Sequence, residues 1–147
     1  NNSWQNVHFY YCVNMNSNHM KYIASNKKWS MVFFTSSKLD LECCKELANN
    51  TDWFAIDLYD TNINDDMVSI LLENISWKVV NLTGNNLSRN SVWNIFEHVK
   101  GNLWWKAYVS SHHDFIIDNE DEIINNIYLR IYSLPGPLSK KGFVPVF

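Results

Sequence analysis

Three adjacent residues, His112, His113 and Asp114, are the one cluster in this sequence that suggests acid–base catalysis or metal binding. Imidazole and carboxylate groups exchange protons near neutral pH, and both are ligands of zinc. Neighbouring residues of an extended strand point to opposite sides, so the three side chains do not converge on one atom. A hydrolase that uses them is therefore our third hypothesis. We expect no enzyme activity, no catalytic residue and no metal ligand.

The number and positions of the cysteines indicate the cellular compartment in which the protein works. There are three, Cys12, Cys43 and Cys44, and an odd number with two adjacent members cannot form a closed disulfide framework. This favours a reducing compartment, and we expect a cytoplasmic protein. Secretion is the alternative, because the chain contains five Asn-x-Ser/Thr sequons. They begin at Asn1, Asn49, Asn74, Asn81 and Asn86.

Composition excludes several other classes of function. The chain has 147 residues, 46% of them hydrophobic, and a net charge of −3, which suits one domain with its own core. Because Lys and Arg do not cluster, we expect no nucleic-acid partner. Unbroken apolar runs are far shorter than the roughly 20 residues needed to cross a bilayer, so no membrane span is expected. Only Gly84 precedes position 100, so a glycine-rich phosphate loop is missing and no cofactor is expected.

A repeat of about 24 residues organises the chain. Five of the seven tryptophans, at positions 4, 29, 53, 77 and 104, are spaced 25, 24, 24 and 27 residues apart. The residues after Trp29, Trp53 and Trp77 follow the pattern L-x-x-L-x-L-x-x-N/C-x-L, with Trp in the first Leu position. In the best match, these positions are Trp77, Val80, Leu82, Asn85 and Leu87.

The spacing of the apolar residues changes between the first and the second half of each repeat. The first half alternates as a strand does, and the polar Asn/Cys position then predicts a turn in which a short side chain bonds to the backbone. The second half has helical spacing, as in Leu41, Cys44 and Leu47. Helix N-caps are predicted at Asp40, Asn64, Ser88 and Asp118.

These matches resemble the leucine-rich repeat family, over nearly the whole chain from Trp4 to Ile131. The helical second half is similar to the ribonuclease-inhibitor-like subclass. The resemblance implies an α/β fold, a right-handed α/β solenoid or horseshoe, with parallel strands on the concave side and short helices on the convex side. We expect a repeat domain over residues 1–133, with five to six coils starting near residues 4, 29, 53, 77, 104 and 126. Residues 134–147 are expected to form a C-terminal capping segment or tail.

The resemblance also implies a function, which is protein–protein interaction without catalysis. The first coil opens three residues into the chain, so we expect the C-terminal part of a larger protein. Together with the cysteines, this is most similar to the sensing or autoinhibitory domain of an intracellular NOD-like innate immune receptor. The alternative is a pathogen effector, or a ubiquitin-ligase adaptor that recognises substrates.

The predicted binding residues lie on strand positions that point away from the helices. Tyrosines are prominent there, and each brings a large contact area and one polar group. We expect a protein or peptide partner on this concave face; the sequence does not fix the oligomeric state. The predicted residues are Tyr10, Phe33, Tyr59, Tyr108, Tyr132, Asp57 and Arg130.

Overall fold

Strands and helices alternate along the chain in the computed structural model, which describes residues 5–101, 106–110 and 129–132. Within these ranges there are six strands and four helices. The strands are β1 (Asn6–His8), β2 (Met31–Phe33), β3 (Ala55–Asp57), β4 (Val79–Asn81), β5 (Lys106–Ser110) and β6 (Leu129–Tyr132). The helices are α1 (Ser17–Ala24), α2 (Leu41–Ala48), α3 (Asp65–Leu71) and α4 (Arg89–Lys100). The predicted α/β class is confirmed.

The six strands form one parallel sheet in chain order, β1-β2-β3-β4-β5-β6. Val32, Ile56 and Val80 are register partners, and each lies three residues after a tryptophan of the 24-residue spacing. A helix separates each pair of successive strands from β1 to β5, as parallel pairing requires of the connection. The tryptophan spacing therefore reports the strand register.

The main core lies between the sheet and the helices. Strand residues such as Val32, Ile56 and Val80 are fully buried there against the predicted helical stripes. Trp53 and Trp77 are also buried, while Trp29 is half-buried. Burial raises the pKa of the Cys43 thiol to about 11 and of the Cys44 thiol to about 12. Both thiols are therefore protonated near neutral pH and act as packing residues, not nucleophiles.

Side-chain caps begin the helices where the sequence predicts them. The Asp40, Asn64 and Ser88 side chains accept hydrogen bonds from the backbone N–H groups of residues 43, 67 and 91. The bond from the N–H of Cys43 holds the pKa of Asp40 below its usual value. Asn16 caps α1 in the same way, although the sequence did not predict this cap. Asp118 lies outside the described residues.

The predicted polar turn position carries the hydrogen bonds expected of it. The side-chain carbonyl oxygen of Asn85 accepts hydrogen bonds from the backbone N–H groups of Thr61 and Ile63, at 3.0 and 2.9 Å. Its amide donates to the backbone oxygens of Leu58 and Leu82, at 2.7 and 3.1 Å. Asn85 therefore joins its own turn to the turn of the preceding repeat.

A second asparagine position, three residues before Trp53 and Trp77, was not predicted. Asn74 accepts hydrogen bonds from the N–H groups of Ser76 and Trp77, and donates to the oxygens of Ala48 and Asn50. Asn50 bonds in the same pattern one repeat earlier. The signal was present as the repeated Asn-x-x-Trp spacing. Two sequon asparagines, Asn74 and Asn81, are thus buried and hydrogen-bonded, so their presence has a structural explanation.

Acid should destabilise the protein through His98, a half-buried residue of α4. Burial lowers the pKa of His98 from its ordinary value of 6.5. Below pH 6.5 the unfolded chain therefore binds a proton that the folded chain resists, and the free energy of unfolding falls as the pH falls. Urea melts between about pH 7 and pH 5 should show this loss, with a smaller loss in His98→Gln. An identical pH dependence in the two proteins would contradict the assignment.

Candidate interaction surface

The sheet has a second face, opposite the helices. Because side chains alternate along a strand, Met31 and Phe33 of β2 point there while Val32 points into the main core. We call this surface the second sheet face. Its described members are Asn6, His8, Met31, Phe33, Ala55, Asp57, Val79, Asn81 and Tyr108.

Most of the second sheet face is buried, which differs from the exposure that the sequence predicted for it. Phe33, Asp57 and Tyr108 were expected to be exposed for a partner, but their exposed fractions are 5%, 1% and 9%. Equivalent side chains on neighbouring parallel strands lie about 4.8 Å apart and cover one another. In addition, the His8 ring stacks on Phe33 with 4.1 Å between ring centroids. These three residues are therefore not part of an open contact surface.

Asp57 is held in a polar network within this face. Its Oδ1 accepts a hydrogen bond from the backbone N–H of Tyr59, and its Oδ2 accepts one from the Asn81 amide at 3.0 Å. The N–H and the hydroxyl of Thr83 both donate to Asn81 Oδ1, at 3.1 and 2.7 Å. Thr83 is itself fully buried. These bonds compensate for moving a carboxylate and an amide out of water.

An exposed aromatic patch remains at the β1 end of the face. Tyr10 and Tyr11 are 48% and 74% exposed. The Tyr10 hydroxyl and His8 Nδ1 form a 2.9 Å hydrogen bond, and the two rings stack. We call His8, Tyr10 and Tyr11 the aromatic patch. Tyr10 was predicted as a binding residue; His8 and Tyr11 were not, although His8 is the register partner of the predicted residue Phe33.

Tyr59 lies at the edge of the face, in the turn after β3. It is half-buried. A side-chain carbon added at Gly84 would come within 3.0 Å of the Tyr59 ring, so the glycine makes room for the ring. Of the predicted binding residues, Tyr10 and Tyr59 are thus the two that the structure leaves accessible. The side chains of Arg130 and Tyr132 lie outside the described residues.

The turns after the strands share one backbone conformation. Tyr11, Ser36, Asp60 and Gly84 are spaced by one repeat and all have positive φ, between 53° and 79°. Glycine adopts this conformation without strain, and only Gly84 signals it in the sequence. The last three of these turns line a groove of about 360 Å³, in which the Ser36 hydroxyl donates to Asp60 at 3.0 Å. The residues that line the groove are mostly polar.

Two expectations concern residues beyond the described ranges. His112, His113 and Asp114 lie there, as does the segment 134–147. Among the described residues, no group of three His, Cys, Asp or Glu side chains is placed to hold a metal ion. The helices that the structure describes are too short and too polar to cross a bilayer.

The sequence matches no protein-family model and gives no significant match to a curated protein. The fold does resemble a solved structure. That structure is described as "Leiomodin-1 Actin-Binding Site 2 (ABS2)", and the two share a TM-score of 0.57. The match covers 80% of this chain and 78% of that chain, at 14% sequence identity. At this identity the likeness concerns the fold alone.

Proposed function

We propose that this chain is a non-enzymatic protein-interaction domain of the leucine-rich repeat type, built as a right-handed α/β solenoid. The observation that carries the proposal is the order of the sheet. Six parallel strands follow in chain order, and the four described helices lie between β1 and β5. Asparagine side chains at fixed positions also hydrogen-bond each repeat to the one before it. Repeat folds of this kind present extended surfaces suited to macromolecular partners.

The aromatic patch and Tyr59 are the proposed contact residues. Large aromatic side chains with polar groups provide much of the binding energy at protein interfaces. The patch is a projecting surface, not an enclosed cavity, which favours a protein or peptide over a small molecule. The structural neighbour is itself named as an actin-binding site, in line with a protein partner for this fold.

For the larger protein, we propose the C-terminal sensing part of an intracellular receptor of the NOD-like class. A pathogen effector or a ubiquitin-ligase adaptor is the alternative. The sequence upstream of residue 1 in the full-length protein separates them. A nucleotide-binding P-loop there supports the receptor, whereas a secretion segment or an F-box-like segment supports the alternative.

Alanine substitution of the accessible tyrosines should weaken partner binding. The probes are purified actin, named by the structural neighbour, and peptides selected from a phage-displayed library against the whole chain. We expect Tyr10→Ala and Tyr59→Ala each to cost about 1–4 kcal/mol of binding free energy, because aromatic anchors dominate such interfaces. Isothermal titration calorimetry of the selected peptide measures the change.

Lys45→Ala and Glu97→Ala are the matched controls. Both residues are exposed on helices, and each forms an ion pair with a residue three positions away. Exposed pairs of this kind contribute little to stability, so the control variants should fold and bind normally. If the helix variants lose binding and the tyrosine variants keep it, the proposed surface is wrong.

A further inference from the structure

Four of the five Asn-x-Ser/Thr sequons lie within the described residues, and they divide into two kinds. Asn49 and Asn86 are exposed. Asn74 and Asn81 are buried, with exposed fractions of 3% and 1%. Because an N-linked glycan is bulky and has to lie at the protein surface, the two kinds differ in whether the folded chain can carry one.

The side-chain amide of Asn74 is fully engaged in hydrogen bonds. Its Nδ2 donates to the backbone oxygens of Ala48 and Asn50, at 2.9 and 2.6 Å. Its Oδ1 accepts from the backbone N–H groups of Ser76 and Trp77, at 2.9 and 3.0 Å. An amide nitrogen carries two hydrogens, and at Asn74 both of them bind the preceding repeat.

Asn81 is enclosed in the polar network of the second sheet face. Its Nδ2 donates to Asp57 Oδ2 at 3.0 Å, and its Oδ1 accepts both hydrogen bonds from Thr83. Thr83 supplies the hydroxyl of the same sequon and is fully buried as well. Neither the nitrogen nor the hydroxyl of this sequon can therefore be reached from solvent in the folded chain.

Glycan transfer changes the very nitrogen on which these bonds depend. The reaction joins Nδ2 to the anomeric carbon of a sugar, breaks the bond between that carbon and the diphosphate of a lipid-linked donor, and releases one amide proton. At Asn74, one of the two donated hydrogen bonds is then lost. A sugar ring must also fit into a packed interior, where few voids are larger than a water molecule.

We propose that the fold accepts N-glycans at Asn49 and Asn86, and that a glycan at Asn74 or Asn81 prevents folding. The secretory pathway attaches these glycans to the nascent chain before it folds, so burial in the folded state does not protect the two asparagines there. The chain therefore folds in a compartment that does not transfer N-glycans. This inference rests on the fold and is independent of the proposed binding surface.

Expression of the full chain in two compartments of one mammalian cell line tests the proposal. A cleavable secretion signal is added in one arm and omitted in the other, and Asn1→Gln removes the first sequon in both. Mass spectrometry measures the glycan occupancy of each asparagine, and limited proteolysis measures folding. We expect the cytosolic chain to be cleaved about tenfold or more slowly than the secretory chain that carries glycans at Asn74 or Asn81, because cleavage follows the unfolded population.

Two sets of substitutions separate the buried sequons from the exposed ones. Ser76→Ala/Thr83→Val removes the buried sequons and keeps both asparagines, so this variant should resist proteolysis in the secretory pathway. The matched control Asn49→Gln/Asn86→Gln removes the exposed sequons and should leave the secretory chain sensitive. If the first variant is also unfolded in the cytosol, the unsubstituted chain is tested in cells that cannot make the lipid-linked donor, where it should fold.

Two results would overturn the proposal. One is a protease-resistant secretory chain without the substitutions at Ser76 and Thr83, whether Asn74 and Asn81 carry glycans or not. The other is a secretory chain that stays sensitive to protease when no glycan is attached to these two asparagines. Peptide binding is measured on chain purified from the cytosol, so a failure to bind there contradicts the proposed function alone.

Discussion

Replacing Trp77 by alanine should remove about 3–5 kcal/mol of stability, because it deletes a large, fully buried side chain at the centre of the repeat. The indole lies in the main core among the strand and helix residues that join successive repeats. A cavity of that size cannot be filled by small shifts of its neighbours. Urea melts followed by circular dichroism measure the loss of unfolding free energy.

Ile75→Ala is the matched control for this substitution. Ile75 lies two residues earlier and is largely exposed, so its loss should change stability by no more than about 0.5 kcal/mol. Equal losses at the two positions would mean that the strand register, and with it the tryptophan spacing, is wrong.

Asn85→Ala should cost about 3 kcal/mol, because its side chain serves four buried backbone groups. Each buried polar group left without a partner costs about 1–3 kcal/mol, and water entering the space recovers part of that. The substitution changes little apolar area, so the loss measures the hydrogen bonds. The same urea melts apply.

Asn86→Ala provides the comparison at the next position. Asn86 is exposed at the edge of the polar groove, and we expect no more than about 0.5 kcal/mol of change. If Asn86→Ala proved as costly as Asn85→Ala, the assignment of Asn85 as the residue linking the turns would fail.

The sequence predicted the structural features that recur with the spacing of its apolar residues. Register partners such as Ile56 and Val80 follow from the tryptophan spacing. The starts of the helices follow from short polar residues such as Asp40, whose side-chain oxygen accepts a hydrogen bond from a backbone N–H in the first turn of the helix. These features depend on contacts within a repeat or between adjacent repeats. The spacing of residues in a single sequence is enough to indicate such contacts.

Solvent exposure on the second sheet face could not be predicted in the same way. Whether Phe33 or Tyr108 meets water depends on tertiary packing over the face, whereas a strand pattern assigns a residue only to one side of the strand or the other. The positive φ angles of the turns could not be predicted for a different reason. Ser36 and Asp60 adopt positive φ because the turn requires it, and neither residue type signals that requirement as Gly84 does.

The asparagine side chains that reach from one repeat into the one before it have a consequence for how the chain unfolds. Thr61 and Ile63 depend on Asn85 for partners, and Ala48 and Asn50 depend on Asn74. Opening one repeat therefore strips polar partners from the repeat before it, which adds to the free energy of each interface between neighbours. In a one-dimensional repeat array of the kind that we propose, strong coupling between neighbours suppresses partly unfolded forms. The described repeats should consequently melt together as a single cooperative unit.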